Sequence, residues 1–317
     1  MTDTQKEVFK TPVNKIRLFE HGAPGSQNLK LTRKYYTEDM PDGRVKHIVQ
    51  NITDPDIVPY IPDGIGNSTD RQRIPAVLII PGGAFRRLVY NFEGEDVAKW
   101  LNSMGIAAFV LECRLPSDEH DNAEDVPLID AMRAMRVIRG RAQEFGMDEA
   151  KIGVMGFSAG GFMAALLSTA YESDVYADYK YKDEYDKLSA RPDFAVCSYP
   201  VISIDDCIEA GKRYMSEEQV LERISDRKAK ILHKYNPDKL VRPDMPPVFI
   251  CETDDDRTTL SENSVGFYMA ARKAGVSAEL HIFRTGGHGY GCGDDFAQTG
   301  EWKVLFTKWI KSIGIIS

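Results

Sequence analysis

The chain has 317 residues, of which 43% are hydrophobic and 28% charged, with a formal net charge of -8. That balance suits a globular protein with a large core and excludes fibrous and low-complexity classes. An acidic chain with scattered basic residues argues against nucleic acid or an anionic membrane as a main partner, and no apolar run approaches membrane length.

Residues 1–75 are rich in Pro, Gly, Asp and Asn, and read as a lead-in segment packed on the core. A short antiparallel element is expected around Val45 to Ile52, with loops around Pro55 to Thr69. Met1 to Lys10 is polar and has no apolar signal core, which predicts a cytoplasmic protein. From Ala76 the pattern changes. Ala76–Ile80 is a continuous apolar run ended by Pro81-Gly82-Gly83, as in a strand buried on both faces. Glu95–Met104 has helical spacing, Ala107–Leu111 reads as a strand, and Leu128–Phe145 as a helix ended by Gly146. Lys151–Met155 is the next strand and Gly160–Thr169 a helix of small and apolar residues. Phe194–Tyr199 and Pro247–Cys251 are strands, Ser261–Ala274 a helix, Ala278–Phe283 a strand and Glu301–Ile313 a closing helix.

This alternation predicts an α/β fold over residues 76–317: a mostly parallel central sheet with helices on both faces. Two stretches interrupt it, near 171–191 and 203–242, and are expected to form a small cap over the site. Ligands of such sheets bind beyond the carboxyl ends of the strands. The five cysteines (113, 197, 207, 251 and 292) show no metal-ligand spacing and read as free thiols.

The residues able to do chemistry fall at those strand ends. Gly156-Phe157-Ser158-Ala159-Gly160 follows a strand and opens a helix, the setting of a nucleophile elbow. The turn is sharp, so glycines flank it, and Ser158 is aimed outward beside a helix N-terminus. The Gly82-Gly83 pair ends another strand and can turn backbone N–H groups inward. An oxyanion hole then combines the Ala159 N–H with one from the loop, Gly83 first and Gly82 or Ala84 beside it. His288 lies in a glycine-rich run, Thr285 to Gly291, after the last strand, and is the candidate base. His281 reads as structural, and His120 as a possible pocket residue. The orienting acid is one of Asp254, Asp255 and Asp256, since three adjacent carboxylates cannot all be buried. The order Ser, Asp, His is the one that α/β hydrolases use.

These motifs, with Glu93-Gly94-Glu95, Tyr199-Pro200-Val201-Ile202 and residues 253–264, resemble the esterase/lipase branch of the α/β-hydrolase superfamily. The similarity is greatest to the acetyl-esterase and acetylxylan-esterase-like, dienelactone-hydrolase-like group, and runs from about Ala76 to the C-terminus. It implies Asp256 as the triad acid, with Asp255 beside it. Phe85, Arg86, Glu93 and Tyr199 are candidate substrate-binding residues; Glu93 resembles a glutamate frequent in the group, and a structural hydrogen bond suits it as well as a substrate contact. Ala84 stands where many relatives have a third glycine, and Arg257-Thr258-Thr259-Leu260 replaces a Pro-Val-Val-Pro-like run. The expected activity is hydrolysis of small acyl esters through an acyl-enzyme, with a small-molecule ester as partner and neither cofactor nor metal. Two rivals are a serine peptidase of prolyl-oligopeptidase type, whose usual propeller is too long for this chain, and a binding protein on a hydrolase scaffold.

Overall fold

A computed structural model describes Phe9, residues 13–64, 73–213, 216, 218, 219, 227–293 and 298–317. The strands are β1 (Ile16–Arg17), β2 (Lys34–Asp39), β3 (Val45–Gln50), β4 (Asp56–Tyr60), β5 (Ile74–Ile80), β6 (Leu88–Val89), β7 (Ala107–Glu112), β8 (Met147–Phe157), β9 (Ala195–Ser198), β10 (Val248–Thr253) and β11 (Ala278–Phe283). The helices are α1 (Asp96–Ser103), α2 (Val126–Gly140), α3 (Ala159–Ala170), α4 (Ile204–Lys212), α5 (Arg227–Lys234), α6 (Ser261–Lys273) and α7 (Glu301–Ser312).

The main sheet has the order β1-β4-β7-β5-β8-β9-β10-β11. From β7 to β11 every pairing is parallel, while β4 and β1 join antiparallel at one edge. The chain leaves β5 for β7 on one side and later returns to β8 on the other. Right-handed crossovers therefore put α1 on one face and α2 and α3 on the opposite face. On the α1 side, Trp100 packs edge-on against Trp302 of α7 at 4.9 Å between ring centres. Covered on both faces, β5 can be apolar throughout, and Ala76 to Ile79 are fully buried. The reversal of strand order lies between β5 and β8. Gly82-Gly83 and Ser158 follow the carboxyl ends of these two strands, where sheets of this kind bind their ligands.

Three expectations are corrected. The stretch read as loops from Pro55 contains β4, which pairs along β7 from Asp56↔Glu112 to Tyr60↔Ala108. Its strand character comes from that pairing rather than from its own composition. Pro59 is tolerated because β1 covers only Asp56 and Ile57, so the strand is an open edge beyond them. Part of the expected loop, 65–70, lies outside the described residues, as do 1–8 and 10. Second, α2 ends at Gly140, where the Tyr185 ring packs so closely that a Cβ would lie 2.4 Å from it.

Third, residues 171–191 do not overhang the site. They follow α3, whose twelve residues carry the chain about 18 Å from Ser158 at 1.5 Å per residue. They pack along α2 instead. Arg133 bonds Asp183 and Asp186, Arg136 bonds Tyr176 and the Leu188 carbonyl, and Tyr179 reaches the Gly22 carbonyl. The 203–242 stretch does stay at the carboxyl ends of the strands. Asn263 of α6 accepts from the Ile202 and Ser203 N–H groups, and Lys234 and Tyr235 bond Asp125 at the start of α2. Residues 214, 215, 217 and 220–226 of that stretch lie outside the described residues.

Candidate active site

Ser158 sits between β8 and α3 with φ 54° and ψ -118°, a conformation that a side chain adopts only under strain. The flanking glycines make it possible. A Cβ at Gly156 would lie 1.9 Å from the Gly160 carbonyl oxygen, and one at Gly160 would lie 1.9 Å from that of Ile80 on β5. The elbow is thus wedged against its own helix and against the neighbouring strand. Ser158 keeps 8% of its surface exposed, enough to reach a ligand.

His288 Nε2 lies 2.8 Å from Ser158 Oγ, and its Nδ1 lies 2.6 Å from Asp256 Oδ2. Of the three adjacent aspartates, Asp254 and Asp255 are exposed and Asp256 is buried. Asp255 accepts from the Gly287 N–H at 2.8 Å and so braces the histidine loop. Asp256 Oδ1 accepts from the N–H groups of Thr258 and Thr259, and Oδ2 from the Thr259 hydroxyl. Burial works to raise the Asp256 pKa. The bond and charge of His288, with those backbone N–H groups, outweigh it and hold the carboxyl below the usual range.

The loop after β5 is tightly wound. Arg86 and Arg87 N–H groups both return to the Gly83 carbonyl, and Ala84 and Phe85 take positive φ of 57° and 59°. The Gly82 N–H is directed at Glu93 Oε2, 2.8 Å away, and is already spent. The N–H groups of Gly83, Ala84 and Ala159 have no acceptor among the described residues. No side chain fits at Gly82, since a Cβ would lie 2.9 Å from the Ser158 Cβ.

The residues expected on the substrate side separate. Phe85 is buried and meets Phe162 edge-on at 5.5 Å. It lines a small apolar cavity with Leu88, Cys113 and Met163, bordered by Gly82 and Ala159. Arg86 is exposed, its carbonyl accepting from Gln50, and Arg87 pairs with Glu38. Glu93 and Tyr199 are buried beneath the loop and bonded to each other at 2.9 Å, rather than turned toward a ligand. His281 bonds Glu279 on the same strand, and His120 bonds Ser26; neither approaches Ser158 through a hydrogen bond. Sequence reasoning missed Thr259 and Asn263, the two side chains that fasten the acid loop. Both lie in the 253–264 run, but a Thr and an Asn carry no signal until the fold supplies their partners.

A sheet of this order, with a strained serine at the switch point and a Ser–His–Asp hydrogen-bonded chain, defines the α/β-hydrolase class. The chain belongs within it to the BD-FAE family, whose model matches residues 65–270. It is 30% identical over 240 residues to an acetylxylan esterase of Xylanibacter ruminicola, covering 75% of this chain and 45% of that protein. It is also 30% identical over 227 residues to endo-1,4-beta-xylanase B of Butyrivibrio fibrisolvens, covering 71% of this chain and 34% of that one. The chain thus spans less than half the length of either curated relative. Among solved structures, an acetyl ester-xyloside bifunctional hydrolase from Caldicellulosiruptor lactoaceticus matches at 34% identity and TM-score 0.71, covering 96% of this chain and 97% of the other. The carboxylesterase Cest-2923 of Lactobacillus plantarum, 20% identical at TM-score 0.66 over 90% of this chain and 99% of its own, shares the fold.

Proposed function

We propose that the protein is a serine carboxylesterase that hydrolyses short acyl esters, acetyl esters of sugars foremost. The observation that carries this reading is the unbroken chain of hydrogen bonds Ser158 Oγ–His288–Asp256 at 2.8 and 2.6 Å, beside N–H groups of Gly83 and Ala159 that have no acceptor among the described residues. His288 Nε2 takes the Ser158 proton as Oγ attacks the ester carbonyl. Asp256 holds Nδ1–H and steadies the imidazolium. The Gly83 and Ala159 N–H groups receive the oxyanion, each contributing about 3 kcal/mol to lowering the barrier. The C–O bond to the alcohol breaks, and the alcohol leaves with the proton from Nε2. Water then attacks the acyl-enzyme, giving its proton to the same nitrogen, and the acid departs as Ser158 regains its hydrogen.

One comparison favours a short acyl group. The relatives at 30% identity or more include an acetylxylan esterase and an acetyl ester-xyloside hydrolase. The test is turnover of p-nitrophenyl acetate against the palmitate, with a phosphonate probe to label Ser158. Acetate turnover that Ser158→Ala lowers about 10⁴-fold or more supports the reading. Preference for palmitate, or activity confined to aminoacyl-amides, would sink it.

A further inference from the structure

Glu93 is a carboxylate with nowhere ordinary to put its charge. It lies in a π-helical turn, Asn91–Glu95, is 5% exposed, and makes no ion pair with a Lys or Arg among the described residues. Single π turns inside helices recur at functional sites. A carboxylate buried without a cation costs several kcal/mol and persists only where its contacts are needed. Its contacts are specific. Oε2 accepts from the Gly82 N–H at 2.8 Å, and Oε1 from the Tyr199 hydroxyl at 2.9 Å. The same hydroxyl accepts from the Gly291 N–H at 3.0 Å.

Three segments of the site are therefore joined through the Glu93–Tyr199 pair. Gly82 precedes the oxyanion donor Gly83. Gly291 closes the loop that carries His288. Tyr199 follows β9, where the Ser198 carbonyl accepts from the N–H of Ser158 itself. Tyr199 has a positive φ of 38°, a second strained backbone at the site, and its ring stands edge-on to the His288 ring at 5.1 Å. Charged groups that act on Glu93 are His288 and Lys46. Burial pushes the Glu93 pKa up, and the positive charge that His288 gains works against that.

We infer that Glu93 and Tyr199 form a positioning pair that holds the oxyanion loop and the histidine loop in register with Ser158. Neither touches substrate; their work is to keep the Gly83 N–H and His288 Nε2 on one reacting centre. The inference rests on the esterase reading above. For Glu93 it decides between the structural hydrogen bond and the substrate contact that the sequence left open, and it gives Tyr199 a role other than substrate contact.

The test uses the full-length enzyme and three variants. Glu93→Ala loses both contacts, and kcat is expected to fall about 100-fold, as for a misplacement of about 1 Å, with KM within about 3-fold. Glu93→Gln keeps an oxygen for the Gly82 N–H, and should recover to within about 10-fold of wild type. Tyr199→Phe preserves the ring and its packing, and removes only the hydroxyl, for a loss of about 10-fold. Affinity for a trifluoromethyl ketone, which forms a tetrahedral adduct on the serine, should weaken in proportion to kcat, while inhibition by the product acid stays put. A Glu93→Gln/Tyr199→Phe double variant should cost no more than the worse single one. Wild-type kcat and ketone affinity in Tyr199→Phe and Glu93→Gln would overturn the inference. So would losses confined to KM. The underlying esterase reading fails separately, through absence of any Ser158-dependent ester hydrolysis in the wild type.

Discussion

Two buried carboxylates, Asp130 and Glu93, lie at similar depth but in opposite company. Asp130 on α2 is fully buried with Arg114, and takes that residue's backbone N–H, Nε and Nη2 at 2.7–3.1 Å. The remaining Arg114 nitrogen bonds Ser26 and the Pro24 carbonyl, and Ser26 in turn meets His120 Nδ1 at 3.0 Å. Here every charge is matched, and the result fastens the N-terminal segment beneath the end of β7. Glu93 has a phenol and a peptide N–H instead of a guanidinium. A matched pair tolerates no change of partner, whereas Glu93, whose pKa burial pushes up, is held by hydrogen bonds to groups of the site itself. Asp130 is tied by charge to a structural partner; Glu93 is tied by hydrogen bonds to the loops around Ser158.

The largest expected effect comes from the site's own acid. Asp256→Asn should lower kcat about 10⁴-fold, because the amide cannot hold His288 in the required tautomer. Steady-state kinetics on p-nitrophenyl acetate measures it, and a fall below about 10-fold would remove Asp256 from the triad. Next comes the comparison itself. Asp130→Asn strands the buried Arg114 and should cost about 3–5 kcal/mol in urea unfolding, with turnover per folded molecule nearly unchanged. Glu93→Gln, which replaces a buried carboxyl that pairs with no Lys or Arg among the described residues, should stay within about 1 kcal/mol of wild-type stability yet lose turnover. If both variants lose stability alike, the contrast between the two regions collapses.

The smallest effect concerns pH. Burial first, and then the charge of Arg114, push the His120 pKa down from 6.5 to about 4. In the folded protein His120 stays neutral over that window, while the unfolded chain takes up a proton. Its contribution to stability is therefore complete above pH 6.5 and is lost as the pH falls toward about 4. The slope is at most about 1.4 kcal/mol per pH unit, reduced by whatever solvent screening reaches the ring. Unfolding of wild type and His120→Gln at pH 7 and 5 isolates it: the wild type should lose more stability on acidification. Equal losses would show that His120 already titrates normally.

Ser158 and His288 were legible because local chemistry dictates them. A hydroxyl on a cramped strand–helix bend needs Gly156 and Gly160, and a movable imidazole after the last strand needs the glycines of 285–291. The parallel core was legible for a similar reason, since β5 and β10 are apolar whatever they pair with. The strand at Asp56–Tyr60 was hidden because its order is borrowed from β7. The segment at 171–191 was misplaced because sequence gives the interruption but not the face on which it lands.

What the sequence determined by itself was the set of elements whose geometry is written within a few neighbouring residues: the elbow, the glycine loops and the chain order of the serine, the aspartates and the imidazole. Only the tertiary structure decided which aspartate is buried, which loop N–H has no acceptor among the described residues, and what Glu93 bonds. Those answers depend on partners 106 positions apart for Glu93 and Tyr199, and 92 apart for Tyr199 and Gly291. A buried polar group acquires its meaning from whatever the fold sets against it, and no local pattern encodes that.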